Sequence, residues 1–167
     1  MADITDPKEL FLHNLGAALT MEQTVLEMLK TNEQKAQDDE LKQQFSHHRQ
    51  ETEGQIRNLE QAFSALGSSP QTKPCPAIEG IQKEGQQMLK QVPDELLDAV
   101  VLKGAAETEH HEIAAYEGLI ASAEAMGEQD VVALLQENLE QETHTRDEVR
   151  KHVERVAQQA AQLSGAR

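Results

Sequence analysis

The stretch Glu109-His110-His111-Glu112-Ile113-Ala114-Ala115-Tyr116 decides how this chain is read. It sits in a longer run in which Leu97, Val101, Ala105, Glu109, Glu112, Tyr116, Leu119, Ala123 and Met126 recur at steps of three and four. That spacing keeps one face of a helix turned toward a core. Two carboxylates therefore fall in the middle of an otherwise apolar stripe. Burying a pair of ionised carboxylates is very costly unless a cation or a proton offsets their charge. The stretch reads as one wall of a metal site.

Working outward, the same signature recurs in each long helical segment. Asp6-Pro7-Lys8-Glu9 opens the first, with Asp at the cap, Pro at the first helical position and Glu three residues after the cap. Its stripe is Phe11, Leu15, Ala18, Glu22, Val25 and Leu29, with Thr31 and Asn32 marking the expected end. The second segment presents Leu41, Phe45, His48, Thr52, Ile56, Leu59, Phe63 and Leu66, and Gly67-Ser68-Ser69-Pro70 stops it. Residues 67–76, with Pro70, Pro74 and Pro76, read as an extended connector, followed by a short helix carrying Ile78, Ile81, Met88 and Leu89. Pro93-Asp94-Glu95 opens the third long helix, which runs to Met126-Gly127. In the fourth, Val131, Leu134, Leu135, Asn138, Glu142, Val149, Val153, Val156 and Ala160 define the inner face. The expected helices are 6–31, 37–66, 77–91, 94–126 and 128–163, in one domain spanning 1–167, with Ser164 to Arg167 frayed.

Composition supports an all-α chain. Aromatic residues are only 2% and Trp is absent, so Leu, Val, Ala and Ile must build the core. Ala, Gln, Glu and Leu dominate, residues that favour helices over strands. A net charge of −15 would repel a phosphate backbone, which argues against nucleic-acid binding, and it raises the local concentration of cations. The plain effect of that charge is solubility. Cys75 is the only cysteine, which excludes a disulfide framework or a thiolate cluster and fits a reducing cytoplasm. It lies in the Pro-rich connector and is expected to be neither catalytic nor a ligand. The N-terminal residues lack the pattern of a signal peptide, and no apolar run is long enough to cross a membrane. A cytoplasmic location is the expectation.

The connections are short, long and short. Each short one implies an antiparallel hairpin, and the long one, with its own helix, can carry the chain along the bundle so that the second and third long helices run parallel. The expected fold is a ferritin-like four-helix bundle whose long crossover holds a short extra helix.

That topology brings the inward polar residues to one height. Glu112 and Glu142 are equidistant from Gly127, and Glu22 and His48 lie at similar distances from the first turn. At about 100° per residue, Glu22, Glu112 and Glu142 fall within roughly 20° of the centres of their faces, and Glu109 and His48 within roughly 40°. Glu51 lies about 100° from its stripe, one turn from His48, and Glu53 is equally far on the other side, so the wheel does not choose between them. His13, His47, His110, His111 and His144 point away from the core, toward solvent or a subunit contact.

A Glu-rich, His-poor and thiolate-free set suits Fe, Mn or Mg rather than Cu or structural Zn. The candidate ligands are Glu22, His48, Glu51, Glu109, Glu112 and Glu142. Five or six ligands from four helices can hold two ions with bridging carboxylates, and peroxide or oxygen chemistry follows if the ions change oxidation state. Tyr116, one turn beyond Glu112, is placed to hydrogen-bond a ligand carboxylate or a bound oxygen species; the bland alternative is core packing.

With these residues placed, the chain resembles the YciF-like group of the ferritin-like superfamily. The likeness runs through His48-Arg49-Gln50-Glu51-Thr52-Glu53-Gly54-Gln55, Pro74-Cys75-Pro76-Ala77-Ile78-Glu79-Gly80 and Glu109-His110-His111-Glu112-Ile113-Ala114-Ala115-Tyr116, and covers nearly the whole chain. The Glu109/Glu112 pair is also similar to the third-helix pair of rubrerythrins. The resemblance implies a crossover-linked bundle, a homodimer, a di-iron or di-manganese centre, a role in bacterial stress response and catalase-like or peroxidase-like activity. The chain departs from the usual Glu-x-x-His pattern: Gly54 follows Glu51 by three residues, and Thr145 follows Glu142 by three. Metal-dependent turnover of peroxide or oxygen, metal buffering without turnover, and a structural bundle with protonated glutamates are the three functions these residues allow.

Overall fold

The computed structural model describes residues 4–165, with side chains through 162. The secondary structure is helical: α1 (Pro7–Lys35), α2 (Asp39–Ala65), α3 (Pro76–Met88), α4 (Leu97–Met126) and α5 (Gln129–Gly165), with a 3-10 turn at Asp94–Leu96. Asp6 caps α1 by accepting from the amides of Lys8 and Glu9, while Glu9 reaches back to the amide of Thr5 rather than to that of the cap. Asp38 does the same for Glu40 and Leu41 at the start of α2. Gly67 and Gly127 end α2 and α4 in the left-handed region, with φ of 71° and 78°.

Several helix ends differ from the sequence reading, among them the start of α4, which is Leu97 rather than 94 because Asp94–Leu96 form a 3-10 turn. Helix α1 continues past Asn32 to Lys35, because Glu33-Gln34-Lys35 are all good helix formers and no breaker intervenes. Helix α3 stops at Met88, short of residue 91. At the C-terminus, Ser164 and Gly165 are helical rather than frayed, while Ala166 and Arg167 lie outside the described residues.

The long helices form a ring in which α1 packs on α2 and α4, and α5 packs on α2 and α4. Helices α2 and α4 are thus diagonal. Their shared direction is visible at one end of the bundle. Asp98, at the start of α4, accepts from the backbone amides of Gln37 (2.7 Å) and Asp38 (3.2 Å), at the start of α2. Arg155, late in α5, reaches Asp38 at 2.6 Å from the opposite chain direction. The long connection therefore returns the chain from one end of the bundle to the other. On the way, α3 lies against α1 and α4.

Apolar layers built on Phe11, Leu15, Leu41, Phe45, Leu59, Phe63, Leu102 and Leu135 fill the interior. Between them lies a polar mid-section in which Glu22, His48, Glu109, Glu112, Asn138 and Glu142 are all buried. Among the described residues, no helix is long and apolar enough to cross a membrane.

Candidate metal centre

Each long helix contributes to the polar mid-section from the centre of its buried stripe. Met21 and Val25 flank Glu22 on α1, Phe45 and Thr52 bracket His48 on α2, and Ala105 and Leu119 lie either side of the Glu109, Glu112 and Tyr116 group on α4. On α5, Asn138, Glu142 and Thr145 follow one another at steps of four and three. The apolar neighbours hold these helices at fixed register, so the polar groups meet away from the surface.

His48, Glu109, Glu112 and Glu142 each bring one ligand atom within 4.8 Å of the others. The His48 Nε2 atom lies 3.4 Å from Glu109 Oε1 and 3.6 Å from Glu142 Oε2, at ion-pair distance but without a hydrogen bond. Glu22 stands beside this group. Its Oε1 accepts from the Tyr116 hydroxyl at 2.5 Å. Glu51 is on the other side of the imidazole, where its Oε2 lies 3.3 Å from His48 Nδ1. It is half-buried, whereas Glu53 is exposed. Thr145, standing where Glu-x-x-His would put a histidine, brings its Oγ1 within 3.3 Å of the same Nδ1. With Nδ1–H donated toward Glu51 and Thr145, a cation that displaced the Nε2 proton would meet the ring's lone pair beside Glu109 and Glu142, which is how a carboxylate orients a metal-binding imidazole.

The electrostatics follow from burial. Glu22 is raised to about 7, chiefly by burial, with the Tyr116 hydrogen bond and His48 pulling the other way. Burial also pushes Glu112 and Glu142 well above the usual carboxylate range, and their mutual repulsion adds to it for Glu112. For His48, burial favours the neutral ring, but the pull of Glu109, Glu142 and Glu51 outweighs it and holds the imidazole well above its ordinary value. Glu51 is lowered by its hydrogen bond to His48. Glu22, Glu112 and Glu142 thus hold protons more tightly than free carboxylates do, which offsets part of the cost of burying them.

The donor set fits a divalent cation. Glu22 Oε2, His48 Nε2, Glu109 Oε2 and both oxygens of Glu112 and of Glu142 are buried and have no hydrogen-bond partner. Buried polar atoms are nearly always satisfied, so a cluster of unsatisfied ligand atoms facing one another needs a common partner. Hard oxygens with one imidazole match Fe, Mn or Mg.

The other histidines do not reach the buried carboxylates, although His47 Nε2 lies 3.4 Å from Glu51 Oε1 at the outer edge of the site. His47, His110 and His144 are exposed, and His110 Nδ1 sits against the carbonyl of Ala106. His111 is partly covered, with its Nε2 3.7 Å from Cys75 Sγ, and Cys75 itself is buried at the start of α3. Residues that the sequence reading did not single out as functional are Asn58, Asn138 and Thr145, which touch Tyr116, His48 or each other. Asn138 left a signal, being an amide within an apolar stripe; Asn58 left none.

Comparison with known proteins places the chain. The family model described as "Domain of unknown function (DUF892)" matches residues 6–162. Protein YciF of Escherichia coli (strain K12) is 29% identical over 140 residues, covering 83% of this chain and 84% of that protein. The crystal structure of the E. coli stress protein YciF superposes with a TM-score of 0.87 at 26% identity, over 93% of this chain and 99% of that one. The YcfI protein of Rhodopseudomonas palustris, to which a structural role has been ascribed, gives a TM-score of 0.86 at 35% identity, over 89% and 95% of the two chains. Matched by the family model over nearly its whole length and shaped like these relatives throughout, the chain belongs to the DUF892 family and within it to the YciF-like group.

Proposed function

We propose that this chain is a metal-binding stress-response protein whose buried centre holds two divalent ions, Fe or Mn, and acts on peroxide or oxygen. The observation that carries the proposal is the set of buried ligand atoms without partners on Glu22, His48, Glu109, Glu112 and Glu142. His48, Glu109, Glu112 and Glu142 would hold one ion. Glu22, through Oε2, would hold the second with Glu112, both of whose oxygens are free. The stress role rests on the likeness to the E. coli stress protein YciF.

Bound Fe or Mn supplies one-electron exchange with small oxygen species. The chain's own residues do the rest. Glu51 and Thr145 orient His48, and Tyr116 holds Glu22 in place with its hydroxyl proton on Oε1. The apolar layers around the centre keep bulk water from the carboxylates.

The test is to prepare the full chain free of metal, add Mn²⁺ or Fe²⁺, and measure ions bound per chain and loss of peroxide. Binding of two ions with peroxide loss that disappears in Glu112→Gln is the expected result. Binding without peroxide loss would make the chain a metal buffer. Absence of binding would leave a structural bundle with protonated glutamates.

A further inference from the structure

The polar residues beside Glu22 form a chain to which each long helix contributes one side chain. Asn58 Nδ2 on α2 donates to Asn138 Oδ1 on α5 at 2.8 Å. Asn138 Nδ2 donates to the Tyr116 hydroxyl on α4 at 3.0 Å, and that hydroxyl donates to Glu22 Oε1 on α1 at 2.5 Å. The direction of the chain is set at one atom. Asn138 Nδ2 also lies 3.3 Å from the backbone carbonyl oxygen of Gln55, which can only accept.

The Asn138 amide must therefore turn its nitrogen toward Gln55 and Tyr116 and its oxygen toward Asn58. The reversed amide would set two acceptors against each other at Gln55. With a donor facing its oxygen, the Tyr116 hydroxyl sends its own proton to Glu22 Oε1. Oε2 is left as the Glu22 oxygen without a partner.

We propose that Asn138, steered by the Gln55 carbonyl and braced by Asn58, is a positioning residue that acts through Tyr116. It reserves Glu22 Oε1 and leaves Oε2 as the one atom that α1 offers to a divalent cation. This rests on the metal-binding reading above and extends it to residues that touch no ligand atom themselves. Asn138 is fully buried, whereas Asn58 reaches toward the surface.

Two measurements on the full chain test this. The first is Mn²⁺ affinity by equilibrium dialysis for the wild type, Asn138→Leu, Tyr116→Phe and the double variant. Each single change is expected to weaken Mn²⁺ binding about 10-fold, the lower end of what loss of an outer-shell partner costs. The double variant should bind no more weakly than the poorer single one, because Asn138 acts only through the tyrosine hydroxyl. Additive losses, or unchanged affinity in Asn138→Leu, would overturn the proposal. Should Asn138→Leu fail to fold, Asn58→Ala at the outer end of the chain replaces it, with a smaller loss that also vanishes in the Tyr116→Phe background.

The second measurement uses the fact that Tyr116 is the single tyrosine of a chain without tryptophan. A phenol that donates to a carboxylate emits weakly, because the excited phenol passes its proton across. At pH 9, where the Glu22 carboxyl is ionised, emission of the metal-free protein should be weak and rise several-fold in Glu22→Gln. Equal emission in the two would show that the proton does not point to Glu22, and would overturn the direction argued here. Failure of the wild type to bind Mn²⁺ would overturn the metal reading and with it the role of Oε2, while the emission still decides the sense of the chain.

Discussion

Glu112 shows the conflict built into the centre at a single residue. It is fully buried, neither of its oxygens has a hydrogen bond, and it faces Glu22, Glu109 and Glu142. Glu112→Gln keeps the shape and removes one charge. It should weaken Mn²⁺ binding at least about 10-fold while raising the melting temperature of the metal-free protein at pH 8, because the repulsion is relieved. His110→Ala, on the exposed side of the same helix, should change neither value. A thermal melt and a dialysis titration on both variants check the pair. Glu51 is expected to behave differently, since it touches the Nδ1 side of His48. Glu51→Ala should lower Mn²⁺ affinity by about 10-fold without altering the number of ions bound, the effect of losing an orienting partner. At this scale the sequence revealed burial but not role. The period of the helix points Glu22, Glu109, Glu112, Glu142 and His48 inward whatever surrounds them. Whether Glu51 meets the centre or the far edge of an imidazole depends on the rotamer of His48 and on Thr145 from another helix. No periodicity encodes that.

At the scale of elements, the most telling contact is between α1 and the crossover. The amide of Lys73 donates to the carbonyl of Gly16 at 3.0 Å, so the extended connector lies directly on the helix backbone. A Cβ at Gly16 would stand 2.8 Å from the backbone oxygen of Gln71 and 2.7 Å from Lys73 Cγ. Gly16→Ala should therefore destabilise the protein by roughly 1–2 kcal/mol despite the better helix propensity of Ala, since overpacking outweighs that gain. Gly118, within α4, has nothing within 4 Å of where its Cβ would be. Gly118→Ala should instead stabilise by about 0.5–1 kcal/mol. Chemical denaturation of the two variants should move in opposite directions. Helix ends were legible where a special backbone was required, as at Gly67 and Gly127 with their positive φ. The end of α1 was not, because Glu33, Gln34 and Lys35 suit a helix and only the packing of the next element turns the chain. The seat of the connector on Gly16 was equally hidden, since a glycine on a helix can mark close approach or nothing.

For the whole molecule, the buried cluster ties stability to both pH and metal, with opposite signs. Glu22 has its carboxyl raised from 4.5 to about 7 in the folded chain, and Glu112 and Glu142 are raised well above the same starting value. The folded state therefore holds protons that the unfolded state releases, and stability falls as pH rises from about 4.5 through the folded values. For Glu22 alone the separation corresponds to on the order of 3 kcal/mol, at about 1.4 kcal/mol per pH unit. His48 acts in the same sense: raised above 6.5, it contributes stability that is complete below that value and is lost as pH rises through its folded value. Asp38, lowered by Arg155, works the other way, its contribution disappearing as pH falls through its folded value, but the pair lies at the solvent-facing end of the bundle and the effect is small. The metal-free protein should thus melt higher at pH 5 than at pH 8. A divalent ion competes with those protons for the same oxygens, so its binding strengthens as pH rises and stabilises the folded chain in proportion. The melting-temperature gain on adding saturating Mn²⁺ should be small at pH 5 and largest at pH 8, where the metal-free chain is weakest. Melts with and without Mn²⁺ across that range check it. A gain that is flat with pH would mean that the ion binds somewhere other than the protonated carboxylates.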